Sequence, residues 1–236
     1  MPRSIFLFLT PAFLLATSFL PAEIRGKLDV GPAYVHVDVL ESGKTVKAMH
    51  MGALKVDATL LLYRGTGVKA GGLAATGQGD LASYYVAGCQ YLPLNDRFSL
   101  LPSVGVSFSY LRTTIHQEHL LLFHLKERFR SVTPYVALEF SYKINEKWYL
   151  SGMYQYGWAR SHTKIRTTKK TGTPFGKQVI FTDHSHSCGP NYSLGVDYTL
   201  NEKWSVNFGG AYSLTLSKEK HGLRGYGFKL GASYYF

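Results

Sequence analysis

From Arg97 to the last residue, large apolar side chains alternate with small or polar ones over runs of ten residues or more. Phe98, Leu100, Pro102, Val104, Val106, Phe108 and Tyr110 stand in one phase; Ser99, Ser103, Gly105, Ser107 and Ser109 stand in the other. The same pattern returns over 131–144, 148–158, 191–200, 204–217 and 226–236. A period of two belongs to the β-strand. Globular strands average about five or six residues, whereas a tilted strand needs about nine to eleven to cross a bilayer. The length of the runs therefore points to a membrane.

The two faces support that choice. A soluble β-sandwich would carry many Lys, Glu and Thr on its wet face. Here that face is mostly Ser and Gly, which suits the tight interior of a narrow barrel, and the opposite face is apolar enough for lipid. Closing the sheet leaves no unpaired backbone in the bilayer. LNDRF, INEKW and LNEKW read as tight turns, while GTGVKAGGLAATGQGD, HQEHLLLFHLKER and TKIRTTKKTGTPFGKQVIFTDHSH read as long loops. Short turns on one side and long loops on the other is the outer-membrane arrangement. Trp148, Trp158, Trp204, Tyr226 and Phe236 bracket the strands as interfacial girdles would. The expectation is an all-β, closed antiparallel transmembrane barrel of about ten strands, or eight if the first two do not insert.

The N-terminal part is less regular. KLDVGPAYVHVDVL changes face near Tyr34, which suggests a bulge, and TVKAMHM reads as a short separate strand. ALKVDATLLLYR puts Leu54, Val56, Ala58, Leu60 and Leu62 outward, with Lys55, Asp57 and Thr59 inward. DLASYYVAGCQYL does not declare its face. Residues 1–22 read as a signal peptide, with Arg3 before the apolar run and Ala22 before the cleavage point. Residues 23–236 then form the barrel, located in the outer membrane.

Charge and chemistry narrow the partners. The net charge of +11 favours an anionic membrane surface over nucleic acid. Arg160, Lys164, Arg166, Lys169, Lys170 and Lys177 form a basic run without a carboxylate, suited to the phosphates of lipopolysaccharide. Inward Lys55, Asp57, Glu139, Lys143, Asp197 and Lys229 should pair across a plugged or very narrow lumen, because unpaired charges there are costly. His184, His186 and Cys188 have ligand chemistry at strand spacing, but they fall outward on the rim. His116, His119, His124 and Glu118 read as loop residues. Neither a metal nor a cofactor is expected. Cys89 and Cys188 should not pair, since they lie at opposite ends of their strands, beyond the roughly 7 Å Cα limit of a disulfide.

From Asp80 to about Ser217 the order of features resembles the omptin family of ten-stranded outer-membrane barrels. FRSVTPYVALEFSYKINEKWYLSGMYQYGWARS and NYSLGVDYTLNEKW carry the likeness. The chain also resembles omptin-like outer-membrane proteins of Chlamydia-related bacteria. The resemblance implies a peptidase site made of an Asp–Asp pair and an Asp-x-His couple at the extracellular rim. The stretch WARSHTKIRTTKK, where the couple is due, has no acidic residue, and Asp80 is the only carboxylate in GTGVKAGGLAATGQGD. Asp183 with His184 or His186 lacks a partner pair. Without a carboxylate to orient a base, water activation has no apparatus, so no catalytic residue is assigned. The expected role is non-enzymatic, structural or in surface interaction, with a narrow pore and an omptin-type peptidase as alternatives. The resemblance further implies that the terminal strand, through Tyr234 and Phe236, is recognised by the barrel-assembly machinery.

Overall fold

The computed structural model describes residues 25–115, 123–169 and 178–236; the expected signal peptide lies outside them. The strands are β1 (Arg25–Glu41), β2 (Lys44–Tyr63), β3 (Thr66–Gly77), β4 (Asp80–Gln90), the two-residue bridge β5 (Leu92–Pro93), β6 (Phe98–Ile115), β7 (Phe123–Lys143), β8 (Trp148–Lys169), β9 (Gln178–Thr199), β10 (Trp204–Leu216) and β11 (Gly222–Tyr235). Each long strand pairs antiparallel with its sequence neighbours, while β4 pairs with β6 and β1 with β11. The result is a closed barrel of ten long strands.

The count agrees with the sequence reading, but its composition does not. TVKAMHM and ALKVDATLLLYR are one continuous strand, β2, and most of the expected loop GTGVKAGGLAATGQGD is β3. β3 looked like a loop because it has few large side chains, and packing requires that. A Cβ on Gly71 would lie 2.4 Å from Asp57 Oδ1 and 2.7 Å from the Tyr85 ring, so the space is already taken. The expected bulge near Tyr34 is also absent; β1 keeps register with β11 through that point, and the β1–β2 shift lies at Val39/Leu40. What changes near Tyr34 is the filling of the lumen. Val37, Met49, Met51, Ala75 and Leu111 are buried together inside the extracellular half, so apolar side chains there occupy the inward phase.

The turns follow from sequence. Asn95, Asn145 and Asn201 each accept N–H bonds from the residues two and three ahead, at 2.8–2.9 Å. These Asx turns close three of the four hairpins at that end of the barrel in the same way. Ser42-Gly43 and Arg64-Gly65 both have positive φ, as two-residue hairpins require. The other long loops are partly strand as well: β7 takes in the end of HQEHLLLFHLKER from Phe123, and β8 and β9 occupy both flanks of TKIRTTKKTGTPFGKQVIFTDHSH.

Phe236 closes the ring. Its N–H donates to the Gly26 carbonyl at 3.0 Å, and its own carbonyl accepts the Gly26 N–H at 2.7 Å. The Phe236 ring lies where a Gly26 Cβ would be, at 2.2 Å, and stacks on Tyr234. Outward, Leu28, Val30, Tyr34, Leu54, Val56, Tyr84, Val86, Val104, Val136, Leu194, Phe208, Phe228 and Leu230 are exposed. That is the lipid belt, and it settles the face of β4, with Tyr84 outward and Tyr85 inward.

Candidate functional site

Five of the six inward charges expected from sequence pair in the lumen; Lys143 makes no ion pair among the described residues. Lys55 meets Asp57 at 2.9 Å, Lys27 meets Asp197 at 3.4 Å, Lys69 meets Glu139 and Lys229 meets Asp29. The Lys69–Glu139 contact joins β3 to β7, and Lys27–Asp197 joins β1 to β9, so both cross the interior. Asp29 also accepts from Asn207 at 2.7 Å and Ser233 at 2.9 Å, and Tyr85 donates to Asp57 at 3.0 Å. Lys27, Asp29 and Lys69 were not among the inward charges read from sequence, because they lie in the irregular N-terminal part. With the Val–Met cluster above, these bridges place paired side chains of β1, β3, β7 and β9 in the lumen. Cys89 is buried on the inward face while Cys188 is exposed on the outer wall, and both are free.

The outer wall above the lipid belt carries the other candidates. On β8 the outward phase passes from Trp158 to Arg160, His162 and Lys164. The register sets Arg160 opposite Val132 and His186, His162 opposite Arg130 and His184, and Lys164 opposite Arg128 and Thr182. Arg128 in turn faces Arg112 on β6. Opposed residues in an antiparallel pair share a face, so Arg112, Arg128, Arg130, Arg160, Lys164 and three histidines form one surface across four strands. Arg130 lies over the Tyr110 ring at 5.7 Å. Asp80, opposite Arg112, is the carboxylate at the margin of this wall among the described residues; Asp183 falls in the inward phase.

Of the expected basic residues, Arg160 and Lys164 thus stand on the outer wall of β8. Arg166 and Lys169 lie further along β8, past a register shift at Ile165/Arg166. Lys170 and Lys177 lie outside the described residues. Arg112, Arg128 and Arg130 were missed because the strands were ended too early. The available signal was phase: Arg128 and Arg130 alternate in step with Val132, as do Arg160, His162 and Lys164 with Trp158. His184 and Cys188 are on the outer wall, as the spacing implied.

A second polar group sits at the outer edge of β1, β2 and β11. His36 pairs with His50 and with Tyr226, and Asp38 pairs with Arg224. Asp38 Oδ1 lies 3.0 Å from His36 Nε2, and Asp38 Oδ2 receives Arg224 Nε at 2.9 Å and NH2 at 2.7 Å. His36 Nδ1 is 3.1 Å from His50 Nδ1, which also contacts the Tyr34 hydroxyl. Tyr226 stacks on the His36 ring at 4.4 Å. Although they face outward, His36 and Asp38 are buried by these neighbours. Sequence reading missed this group, since the six residues come from three strands and span most of the chain.

Known proteins bear on these observations. The family described as "Protochlamydia outer membrane protein" matches residues 80–226. The outer membrane protease OmpT of Escherichia coli superposes with a TM-score of 0.62 at 14% identity, covering 93% of this chain and 100% of OmpT. Ail, the attachment invasion locus protein of Yersinia pestis, reaches 0.43 at 15% identity, over 91% of this chain and 99% of Ail. No curated protein sequence matches the chain.

Proposed function

The chain belongs to the Protochlamydia outer membrane protein family, and we propose that it is a non-enzymatic outer-membrane barrel that docks the anionic headgroup layer of lipopolysaccharide on its basic outer wall. The observation that carries this reading is the phase of the cations. Arg112, Arg128, Arg130, Arg160 and Lys164 continue the lipid-facing stripe directly above the belt, where phosphates and carboxylates of the outer leaflet lie. Arg also offers a fork that matches phosphate oxygens in pairs. Once anchored, the strand extensions of β6 to β9 present the protein's surface to the exterior.

The alternatives have less support. A pore needs a free path, and here the lumen is crossed by ion pairs and filled by Val37, Met49 and Met51. A peptidase needs carboxylates gathered at one place, whereas Asp80 lies outward on β4 and Asp183 inward on β9. The His36–Asp38 couple is on the lipid-facing wall, away from the lumen mouth.

The test is binding of the purified barrel to vesicles bearing lipopolysaccharide and to phosphatidylcholine vesicles. A basic side chain near an anionic surface contributes roughly fivefold at low salt. The triple variant Arg128→Gln/Arg130→Gln/Arg160→Gln should therefore bind lipopolysaccharide on the order of a hundredfold more weakly, with unchanged heat-modifiable gel mobility. Equal binding by the variant, or no loss of wild-type binding at high salt, would reject the reading.

A further inference from the structure

Beside the outer edge of the belt, His36 Nδ1 and the Tyr34 hydroxyl oxygen both contact His50 Nδ1. The Asp38 carboxylate settles the state of the first. It takes the proton of His36 Nε2 at 3.0 Å, which leaves the lone pair on Nδ1, facing His50. A neutral imidazole carries one ring proton, so the carboxylate fixes which nitrogen is free. A carboxylate behind a histidine whose other nitrogen faces outward is the usual support of a metal ligand. Arg224 and Thr45 fix the remaining side, with Arg224 NH2 donating to Asp38 at 2.7 Å and to Thr45 at 3.1 Å. Tyr226, stacked at 4.4 Å, keeps the His36 ring from turning.

The spacing fits a cation. Two nitrogens bound at about 2.0–2.1 Å to a tetrahedral ion stand roughly 3.3–3.4 Å apart, and the two Nδ1 atoms are already 3.1 Å apart. In the metal-free group, the protons on His50 Nδ1 and the Tyr34 hydroxyl must serve every contact at this point. A cation could take all three electron pairs. No three His, Cys, Asp or Glu side chains converge on one point among the described residues; here the third ligand is a tyrosine.

We infer that His36, His50 and Tyr34 form a surface site for a divalent late-transition-metal ion, Cu(II) or Zn(II), with Asp38 as the orienting carboxylate. Imidazole suits both ions, and Cu(II) binds the tighter by the general order of divalent metals. Coordination by the Tyr34 phenolate releases its proton to solvent, while the His50 proton moves from Nδ1 to Nε2 of the same ring, so one proton leaves for each ion bound. His50 and Tyr34 are exposed, so these two ligands open outward from the barrel wall rather than into the lumen.

The test is titration of the full barrel in detergent with copper sulfate and zinc sulfate, read by calorimetry and, for copper, by electron paramagnetic resonance and visible absorption. One saturable equivalent with coupling to two imidazole nitrogens is expected. His50→Gln should weaken it at least tenfold, while His184→Gln, in the other histidine pair, should not. Absence of a saturable equivalent, or binding lost in His184→Gln and kept in His50→Gln, would overturn the site. Where His50→Gln fails to show the heat-modifiable mobility of a folded barrel, Tyr34→Phe decides. It should lower the affinity and abolish the phenolate-to-copper absorption band; an unaltered affinity and spectrum would reject the three-ligand site.

Discussion

Two cross-strand histidine pairs stand on the outer wall at nearly the same spacing, with interplanar angles of 68° for His36–His50 and 40° for His162–His184. His36 and His50 have ring centroids 4.4 Å apart, and His162 and His184 have them 4.3 Å apart. Their facing Nδ1 atoms lie at 3.1 and 3.3 Å. The surroundings differ. The first pair has a buried carboxylate behind it and a tyrosine beside it; the second is set among Arg130, Arg160 and Lys164. Identical side chains at the same register are thereby prepared for different partners, one for a cation and the other for the anions of a headgroup. The neighbours decide, because an imidazole is poised near neutral pH and small changes in local charge fix its state.

The largest effect should come from removing the orienting carboxylate. Asp38→Asn keeps the shape of the side chain but loses the charge that fixes the His36 tautomer. Loss of such a support costs 10- to 100-fold in metal affinity. Competition against a chelating dye should show a loss of that order for the first pair. An affinity equal to the wild type would mean that Asp38 serves only its bond to Arg224, and the contrast between the pairs would lose its basis.

A smaller effect is expected from converting the second pair. Arg130→Glu/Lys164→Glu replaces two cations near His162 by carboxylates. Charges about 4 Å apart interact by roughly 1 kcal/mol in water, so a gain of about fivefold or more in copper affinity is expected there. Titration of this variant should show a second equivalent that the wild type lacks at the same concentration. If none appears, charge alone does not separate the two pairs, and the Tyr34 ligand is what the second pair is missing. The same variant should lose lipopolysaccharide, since it reverses two of the cations on the basic wall.

The two pairs also show what a sequence discloses. His184 was read correctly as outward, because it shares the phase of Tyr192 and Leu194 over an unbroken strand. His36 and His50 do not read as a pair, because alternation breaks β2 at Met51 and suggests a bulge near Tyr34 that the structure does not have. Both errors have one cause. Alternation reports where apolar residues sit, and in the extracellular half they sit inside, as Val37, Met49 and Met51. The ten-strand count was nonetheless right, because one strand counted twice offset β3, whose Gly and Ala content hid it. The missed arginines reflect the same habit of ending a strand where its apolar residues end; hydrogen bonding continued, with cations in place of leucines.

The smallest effect concerns the protonation of the second pair. His162 is held below its ordinary value of 6.5, first by loss of hydration and then by His184, Lys164 and Arg130. The sign follows from linkage. As pH falls below the ordinary value, the unfolded chain takes up this proton before the folded barrel does, so folding loses stability on acidification. A histidine with an acidic partner would do the opposite. The repulsive part is also screened by salt, with a Debye length of about 10 Å at 0.1 M, whereas loss of hydration is not. Nuclear magnetic resonance of the imidazole protons in detergent should therefore place the His162 titration below 6.5, moving upward with added salt and in Lys164→Gln. A titration at or above the ordinary value, insensitive to both changes, would show that the basic wall does not act on this ring. The two histidine pairs would then differ only in what stands behind His36.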